Sequence, residues 1–269
     1  MTRPKKSHFK IAFCLALLAS FLAPWASSSA AVQSGPASVL RDLFAAPLGQ
    51  GQAAFVFFGY STVVVRTAKA AAIIDPGMLL IKEDAEFFRG KKIDAVLYTH
   101  GHGDHFDGET AAALAQATGA SFGAEGGVVG NLKKGGAIEP ARIIDFTDMR
   151  PRAAGAWTIT PLRGIHFGPI VIFGFSDGDI RLFHGGDSGY VPIRDLNASL
   201  AFLPTGGPSP TGSPDDALKM AKDLKARVVV VMHGSDDQYQ ELQKKMKSAL
   251  PATKVIIPET MKVYTVDNR

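Results

Sequence analysis

The most informative stretch of this 269-residue chain reads Val96-Leu-Tyr-Thr-His-Gly-His-Gly-Asp-His-Phe106. It begins as an apolar run, which predicts a short buried strand, and it continues into a loop that holds His100, His102, Asp104 and His105. In proteins whose strands and helices alternate, ligands bind beyond the carboxyl ends of the strands. Imidazole and carboxylate are common ligands of zinc, and imidazole also suits iron and nickel. The stretch therefore predicts a loop that supplies ligands to two neighbouring metal ions.

Gly101 and Gly103 alternate with the polar residues of this loop. Because glycine has no Cβ, it adopts backbone conformations that other residues avoid. The sequence predicts that these two glycines let the loop turn tightly. The alternative is a polar surface loop with solvated histidines, but the specific spacing His-x-His-x-Asp-His favours the metal site.

The segment His100-Gly-His102-Gly-Asp104-His105 resembles the signature of the metallo-β-lactamase-fold hydrolases. Other details are most similar to the branch that includes the ascorbate-6-phosphate lactonase-like and N-acyl-phosphatidylethanolamine phospholipase-like enzymes. The resemblance extends from about Ala54 to the C-terminus. It implies an α/β fold, a four-layer αββα sandwich in which two mixed β-sheets are flanked by helices.

The pattern of predicted elements agrees with that architecture. We expect helices at Ser38–Phe44, Glu83–Arg89 and Ala111–Ala117, from the N-cap Ser213 through Lys225, and at Asp236–Leu250. We expect strands at Ala54–Phe58, Thr62–Thr67, Ala71–Ile74, within 91–100, and at Ala120–Gly123, Ile143–Phe146, Trp157–Leu162, Ile170–Phe175, Ile180–His184, Leu200–Leu203, Arg227–Met232, Val255–Ile257 and Lys262–Val266. The glycine-rich segment 126–136 is predicted to be a loop. Since no linker or internal repeat interrupts the pattern, residues 35–269 are predicted to form a single domain.

Residues 1–31 have the composition of a signal peptide. A basic start is followed by the apolar run Ile11–Trp25 and by the small residues Ser28-Ser29-Ala30. This order predicts export to the periplasm or the extracellular space. The alternative is a retained membrane anchor, but the apolar run is short for a membrane span. We therefore expect no stable membrane insertion after cleavage.

Removal of this segment changes both the charge and the redox chemistry of the chain. The full sequence has 29 basic and 25 acidic residues, and residues 1–30 contain four of the basic ones and none of the acidic ones. The remaining 25 of each leave no basic excess for a nucleic-acid partner. The single cysteine, Cys14, lies in the same segment. Metal sites of the mature chain must therefore use histidine and carboxylate ligands.

Three further histidines lie outside the loop and the signal segment. His166 and His233 each follow a predicted strand, as does Asp187, which closes a predicted hairpin. The resemblance implies that His100, His102, His166 and Asp187 bind one metal and that Asp104, His105, His233 and Asp187 bind the other. Asp187 would then bridge the two metals. A structural histidine or a turn aspartate is the alternative at each position. His184 lies inside a predicted strand and is interpreted as a core residue.

Two residues are candidates for supporting the site without binding metal. Asp75 follows the apolar pair Ile73-Ile74 and is predicted to accept a hydrogen bond that orients a ligand histidine; a plain turn aspartate is the alternative. Tyr60 stands in Gly59-Tyr60-Ser61, where the branch usually has histidine. Either its hydroxyl reaches the site or its ring only packs, and the sequence leaves both open. Phe167-Gly168-Pro169 also departs from the branch, so the loop that faces the substrate differs.

These observations predict an enzyme that hydrolyses a small ester, lactone or phosphodiester. Two divalent metals bridged by Asp187 would generate a hydroxide near neutral pH, and Asp104 would both bind metal and orient that nucleophile. Zinc is preferred, with manganese and iron as alternatives. A β-lactam hydrolase and a non-catalytic metal-binding or sensor protein of the same fold are the competing interpretations. The sequence predicts a small-molecule substrate and indicates nothing about oligomeric state.

Overall fold

The computed structural model describes residues 35–207 and 211–267. The predicted signal peptide lies outside the described residues, so its cleavage and the export of the chain stay predictions. The strands are β1 Gln52–Gly59, β2 Thr62–Thr67, β3 Ala71–Ile74, β4 Ala95–Tyr98, β5 Ser121–Ala124, β6 Ile143–Asp145, β7 Arg152–Ala154, β8 Trp157–Arg163, β9 Val171–Ser176, β10 Arg181–His184, β11 Leu200–Pro204, β12 Val228–Met232, β13 Lys254–Ile256 and β14 Val263–Asp267. The α-helices are α1 Pro36–Ala45, α2 Gly108–Ala117, α3 Gly126–Gly135, α4 Pro214–Leu224 and α5 Asp236–Ala249, and 3₁₀ helices cover Lys82–Phe88 and Pro140–Arg142.

The strands form two mixed sheets of seven strands each. The first has the order β14-β1-β2-β3-β4-β5-β6 and the second the order β13-β12-β11-β10-β9-β8-β7. Strands β3 to β6 run parallel in the first sheet, and strands β10 to β13 run parallel in the second. The remaining neighbours are antiparallel. The predicted fold class is confirmed.

Three apolar clusters hold the layers together. The cluster between the sheets takes alternate residues of β1, such as Phe55, and packs them against the opposite sheet; the rings of Phe55 and Phe202 lie 5.1 Å apart. The intervening residues of β1, such as Val56, pack on the outer face with residues of α1 to α3. A third cluster packs α4 and α5 on the outer face of the second sheet. Because both faces are covered, these strands read as continuous apolar runs.

The parallel strands of both sheets end at one edge of the sandwich. Asp75 directly follows β3, His100 follows β4 after one residue, and His233 directly follows β12. Backbone hydrogen bonds join the two sheets at this edge: the amide of Val171 donates to the Thr99 carbonyl at 3.0 Å, and the amide of His233 donates to the Tyr60 carbonyl at 2.9 Å. Residues that are far apart in sequence therefore meet here.

Hydrogen bonds fix the starts of two helices, of which the N-cap Ser213 was predicted. The Asp107 side chain accepts from the Thr110 amide at 2.7 Å and begins α2. Ser213 and Asp216 form a reciprocal capping box at the start of α4, with Pro214 in the first turn. Among the described residues, no helix is long and apolar enough to cross a membrane.

The prediction of a loop at residues 126–136 is wrong, because Gly126–Gly135 forms α3. Its glycines each disfavour a helix by roughly 1 kcal/mol. Burial of Val128, Val129 and Leu132 on one face offsets this cost, and the Glu125 carboxylate accepts from two amides of the first turn. The short strand β7 was not predicted, because three residues at a sheet edge carry too little pattern.

Candidate metal centre

The loop after β4 places its polar side chains at the edge where the sheets meet. His100 and His105 are buried, Asp104 is partly buried and His102 is exposed. The amides of His105 and Phe106 both donate to the His102 carbonyl, at 3.0 and 2.8 Å, which closes a tight turn. The Phe106 ring packs edge-on against Tyr98 of β4 and anchors the far side of the turn.

The glycine that this turn requires lies outside it. Gly101 and Gly103 have no positive φ, and a Cβ added to either meets at most a Val128 methyl at 3.6 Å. The predicted role of these two glycines is therefore wrong. A Cβ added to Gly77 would instead lie 2.4 Å from the carbonyl carbon and oxygen of Asp104 and 2.7 Å from the amide nitrogen of His105. Gly77 permits this close approach because it has no side chain.

One group of ligand atoms joins the loop to the segment after β8. His100 Nε2 lies 3.0 Å from His102 Nδ1, and His102 Nδ1 lies 3.4 Å from His166 Nε2. All three ligand atoms lie within 4.8 Å of one another. The structure thus brings together the three histidines that were predicted for the first site.

A second group joins the loop to the end of β12. Asp104 Oδ2 lies 3.0 Å from His233 Nε2 and 3.4 Å from His105 Nε2. These three ligand atoms also lie within 4.8 Å of one another. They are the non-bridging residues that were predicted for the second site.

Asp187 lies between the two groups and is 1% exposed. Its Oδ1 is 3.3 Å from His105 Nε2, and its Oδ2 is 3.3 Å from His233 Nε2 and 4.0 Å from His100 Nε2. One buried carboxylate therefore faces ligands of both groups, which is the position predicted for a bridge.

Two buried ligand atoms without partners indicate that these residues suit a divalent cation. His105 Nε2 and Asp187 Oδ1 are buried and have no hydrogen-bond partner among the described residues, although they face each other. A buried polar atom without a partner costs about 1–3 kcal/mol, and a cation bound between these two atoms would satisfy both. Nitrogen and carboxylate oxygen together are a donor set suited to zinc, manganese or iron.

The charges around His105 fit a cation as well. Burial alone would lower the pKa of His105, but Asp75, Asp104 and Asp187 outweigh it and raise the pKa to about 12. His100 behaves oppositely, because burial and the neighbouring charge of His105 lower its pKa to about 3. The neighbouring imidazoles of His105 and His233 hold the pKa of Asp104 well below its usual range. The carboxylates therefore surround a position that favours positive charge.

Asp75 fixes the orientation of His105 from behind. Its Oδ2 accepts from His105 Nδ1 at 2.8 Å and from the Thr99 hydroxyl at 2.8 Å, and its Oδ1 accepts from the Thr99 amide at 2.7 Å. The Ser61 hydroxyl lies 2.8 Å from the same His105 nitrogen and donates to Asp75 at 3.2 Å. With Nδ1 held in this way, His105 presents Nε2 to Asp187 and Asp104.

His184 does not point a free nitrogen at the centre. Its Nε2 donates to the Ser61 carbonyl at 2.9 Å, and its Nδ1 accepts from the Gly186 amide at 3.2 Å. Both ring nitrogens are thus occupied, in agreement with its interpretation as a core histidine. Tyr60 is 46% exposed, and its ring packs against that of His233 with centroids 5.3 Å apart.

Sequence reasoning missed three residues of the centre: Gly77, Thr99 and Ser61. Thr99 and Ser61 adjoin residues that were singled out, yet their hydroxyl contacts depend on segments that meet only in the fold. Nothing in the local sequence around Gly77 indicates that Asp104 packs against it.

Two clefts adjoin the centre. A cleft of about 580 Å³ is lined by the first turn of α3 and by Gly164, Gly168 and Pro169 of the loop that carries His166. A cleft of about 310 Å³ is lined by Gly77, Met78 and Ile81 together with Gly103 of the metal loop. Both have room for a small molecule, and their lining includes residues close in sequence to the predicted ligands but not the ligands themselves.

Comparisons with known proteins agree with this geometry. A family model described as the β-lactamase superfamily domain matches residues 54–233. A metal-dependent hydrolase of Myxococcus xanthus (strain DK1622) is 28% identical over 265 residues, which cover 86% of this chain and 90% of that protein.

Solved structures support the fold. The metallo-β-lactamase fold protein YhfI from Bacillus subtilis has a TM-score of 0.65 and 19% identity over 81% of this chain and 100% of its own. Igni18, a metallo hydrolase from the hyperthermophilic archaeon Ignicoccus hospitalis, has a TM-score of 0.63 and 23% identity over 80% of this chain and 99% of its own. At such identities the likeness shows the fold alone.

Proposed function

The chain belongs to the β-lactamase superfamily, and on that premise we propose that it is an exported metal-dependent hydrolase with two divalent metal ions that cleaves a small ester, lactone or phosphodiester. The observation that carries this proposal is the convergence of two groups of nitrogen and oxygen ligands around the buried carboxylate of Asp187. The name of the Myxococcus xanthus relative, a metal-dependent hydrolase, supports the same reaction type.

The ligand sets follow the grouping of atoms in the fold. His100, His102 and His166 would hold the first metal, Asp104, His105 and His233 would hold the second, and Asp187 would be shared by both. Metals bound there would supply a water molecule of lowered pKa and a Lewis acid for a carbonyl or phosphoryl oxygen of the substrate. Zinc is the first choice, and manganese and iron suit the same ligands.

The protein itself contributes orientation and charge. Asp75 and Thr99 lock the tautomer and the ring position of His105, so that its Nε2 is aimed before a ligand arrives. Asp104 is partly exposed while its Oδ2 contacts His233, so its carboxylate is placed to orient an attacking water. The burial of Asp187 keeps bulk water from competing with the interactions of its carboxylate.

Metal analysis combined with a substrate panel tests this function. Protein with about two metal ions per chain, as the two-metal arrangement requires, is assayed with bis(4-nitrophenyl) phosphate, 4-nitrophenyl acetate, a chromogenic lactone and a chromogenic cephalosporin. We expect turnover of at least one of the first three and its loss in Asp187→Ala. Turnover of the cephalosporin alone would favour the β-lactam hydrolase, and two bound metals without any turnover would favour the non-catalytic alternative.

Export is tested separately, because it rests only on residues 1–31. We expect the soluble protein from an exporting bacterium to begin near Ala31 or Val32, and the intact mass of that protein measures the cleavage site. Full-length mass in the soluble fraction would contradict export by a cleaved signal.

A further inference from the structure

The exposed large apolar side chains of this protein are concentrated around the candidate metal centre. Among the residues that the structure describes, five such side chains stand out from the surface: Tyr60, Met78, Ile81, Ile165 and Phe167. We call these five residues the apolar rim. Single exposed apolar residues scattered over a surface are ordinary, whereas a concentration of them marks a binding site.

Each rim residue lies beside the centre, through a ring contact, a shared cleft or a neighbouring position in the sequence. Ile165 and Phe167 flank His166 and are 62% and 85% exposed. Tyr60 packs its ring against His233. Met78 follows Gly77, whose Cα lies against the Asp104 carbonyl, and Met78 and Ile81 line the 310 Å³ cleft together with Gly103.

The exposure at Ile165 does not come from a loosely held backbone. Its amide donates to the Ser188 hydroxyl at 2.9 Å, and its carbonyl accepts from the Gly189 amide at 2.8 Å. Both partners directly follow Asp187 in sequence. The backbone that carries this side chain is thus fixed to the same turn as the proposed bridging ligand, while the side chain itself is left in solvent.

From these contacts we infer that the apolar rim binds an apolar acyl, alkyl or aryl part of the substrate while the scissile group lies at the metal centre. This inference rests on the proposed function and deepens it, because it names the substrate class: small amphipathic esters, lactones or phosphodiesters. Ile165 and Phe167 are its principal specificity-determining residues, since they are the most exposed and stand on both sides of His166.

The surroundings favour a monomeric substrate over other occupants. A protein seated on the rim would close off the centre that the rim surrounds. An anionic membrane surface is disfavoured by charge, because the charged residues that line the cleft beside Met78 and Ile81 are Lys82, Glu83, Asp107 and Glu109, and the lysine is paired with Glu109. The excess of carboxylates there disfavours close approach of an extended anionic surface, whereas a single small ligand can keep its charged group away from this cleft.

The test uses alkyl hydroxamates, which bind a metal through the headgroup and present a chain of chosen length. Acetyl, hexanoyl and decanoyl hydroxamates, each kept below its micelle concentration, are titrated calorimetrically into the metal-loaded protein. For an alkyl chain that is half covered by the protein, the affinity should rise by roughly twofold per methylene group. From acetyl to decanoyl hydroxamate this amounts to about two orders of magnitude in affinity.

Variants then assign the chain-length dependence to the rim. Phe167→Ser and Ile165→Ser should each reduce the ratio of decanoyl to acetyl affinity, and the double variant should bring it below about tenfold. Phe167→Leu should restore most of the ratio. Leu218→Ser, at a partly buried leucine of α4 on the outer face of the second sheet, serves as a matched control and should leave the ratio as in the wild type.

The outcomes separate this inference from the proposed function. The inference is overturned if acetohydroxamate binds but affinity does not rise with alkyl chain length, or if the rise persists in the double variant. Either result leaves the proposed hydrolase function standing. If no metal is retained, decanoate is titrated into the metal-free protein, and binding that Phe167→Ser weakens still supports the rim, whereas its absence overturns it. If the affinity of monomeric ligands does not depend on chain length, two further results identify another occupant and overturn the inference. Sedimentation of the protein with phosphatidylglycerol vesicles would favour a membrane. Self-association that Phe167→Ser abolishes would favour a second copy of the protein.

Discussion

Replacing Gly77 by alanine is expected to damage the metal centre from a position that binds no metal. The added Cβ would lie 2.4 Å from the carbonyl atoms of Asp104, whereas ordinary contacts of a Cβ begin near 3.4 Å, so one segment must move by about 1 Å. The contacting atoms belong to the backbone of Asp104 and His105, and no flexible side chain can move aside. Overpacking of this kind costs about 1–3 kcal/mol, which corresponds to a fall in Tm of roughly 2–12 °C for a domain of this size.

The expected effect on function is larger than the effect on stability. A displacement of about 1 Å in a catalytic group can reduce the rate about 100-fold, and here it falls on two adjacent predicted ligands. Melting curves, metal content after dialysis against a limiting metal buffer, and kcat/KM on the best substrate of the panel measure the three quantities. Gly77→Ala should lower all of them, with metal content and kcat/KM reduced more than the small loss of stability explains.

Gly101→Ala and Gly103→Ala provide the matched controls within the metal loop. Their φ values suit alanine and their surroundings leave room for a Cβ. Such replacements commonly stabilise a protein by about 0.4–1 kcal/mol because they reduce the freedom of the unfolded chain. Wild-type metal content and rate in Gly77→Ala, or equal damage in Gly103→Ala, would refute the reasoning.

Three further predictions concern the ligands and their support. Asp187→Ala should weaken the binding of both metals, so that metal content falls from about two per chain to well below one. His166→Ala should weaken the binding of chiefly one metal and leave a content near one per chain. Retention of both metals and of most activity in Asp187→Ala would exclude a bridging role. Chelation should abolish activity and lower Tm together, since a metal at 100 times its Kd stabilises the fold by about 2.7 kcal/mol, and an unchanged melting curve with the metal shown to be gone would contradict the dinuclear centre. Asp75→Ala should reduce metal affinity or activity about 10- to 100-fold, with the metal affinity measured by competition with a chelator. Thr99→Val keeps the contact between Asp75 and His105 and should therefore reduce metal affinity less. Equal losses of affinity in the two variants would show that Asp75 does not act through His105.

The sequence predicts the metal loop well because its ligands are contiguous and their spacing is specific. His166, Asp187 and His233 are found by a weaker rule, namely that each follows a predicted strand. That rule locates three strand ends without indicating that they meet. The meeting depends on parallel strands in two different sheets ending at one edge, and the resemblance to a known family supplied that information. The family and the fold are confirmed, whereas the branch stays a prediction.

The features that escaped prediction depend on tertiary contacts. Segment 126–136 has the composition of a loop, yet burial of its apolar residues against α2 and β5 makes it a helix. Gly77 matters because the chain returns to it 27 residues later at Asp104. Glycines 101 and 103 lie among the ligands in the sequence, although neither position requires glycine in the fold. Local sequence thus identifies the ligand types, while the packing that positions them is visible only in the fold.

Backbone conformation at the centre shows why such positions are hard to recognise. Tyr60, Asp75 and His233 all adopt left-handed backbone conformations, with φ of 44°, 48° and 50°. Each costs of order 1 kcal/mol for a residue with a Cβ, and propensity would assign glycine or asparagine to all three positions. The backbone is held nonetheless, because the amide of Asp75 donates to the Leu97 carbonyl and the amide of His233 donates to the Tyr60 carbonyl. Glycine at Asp75 or His233 would relieve the strain but would remove the side chain that orients His105 or contacts Asp104. The fold therefore carries local strain at the positions where these side chains are needed, which is the pattern expected of a functional site.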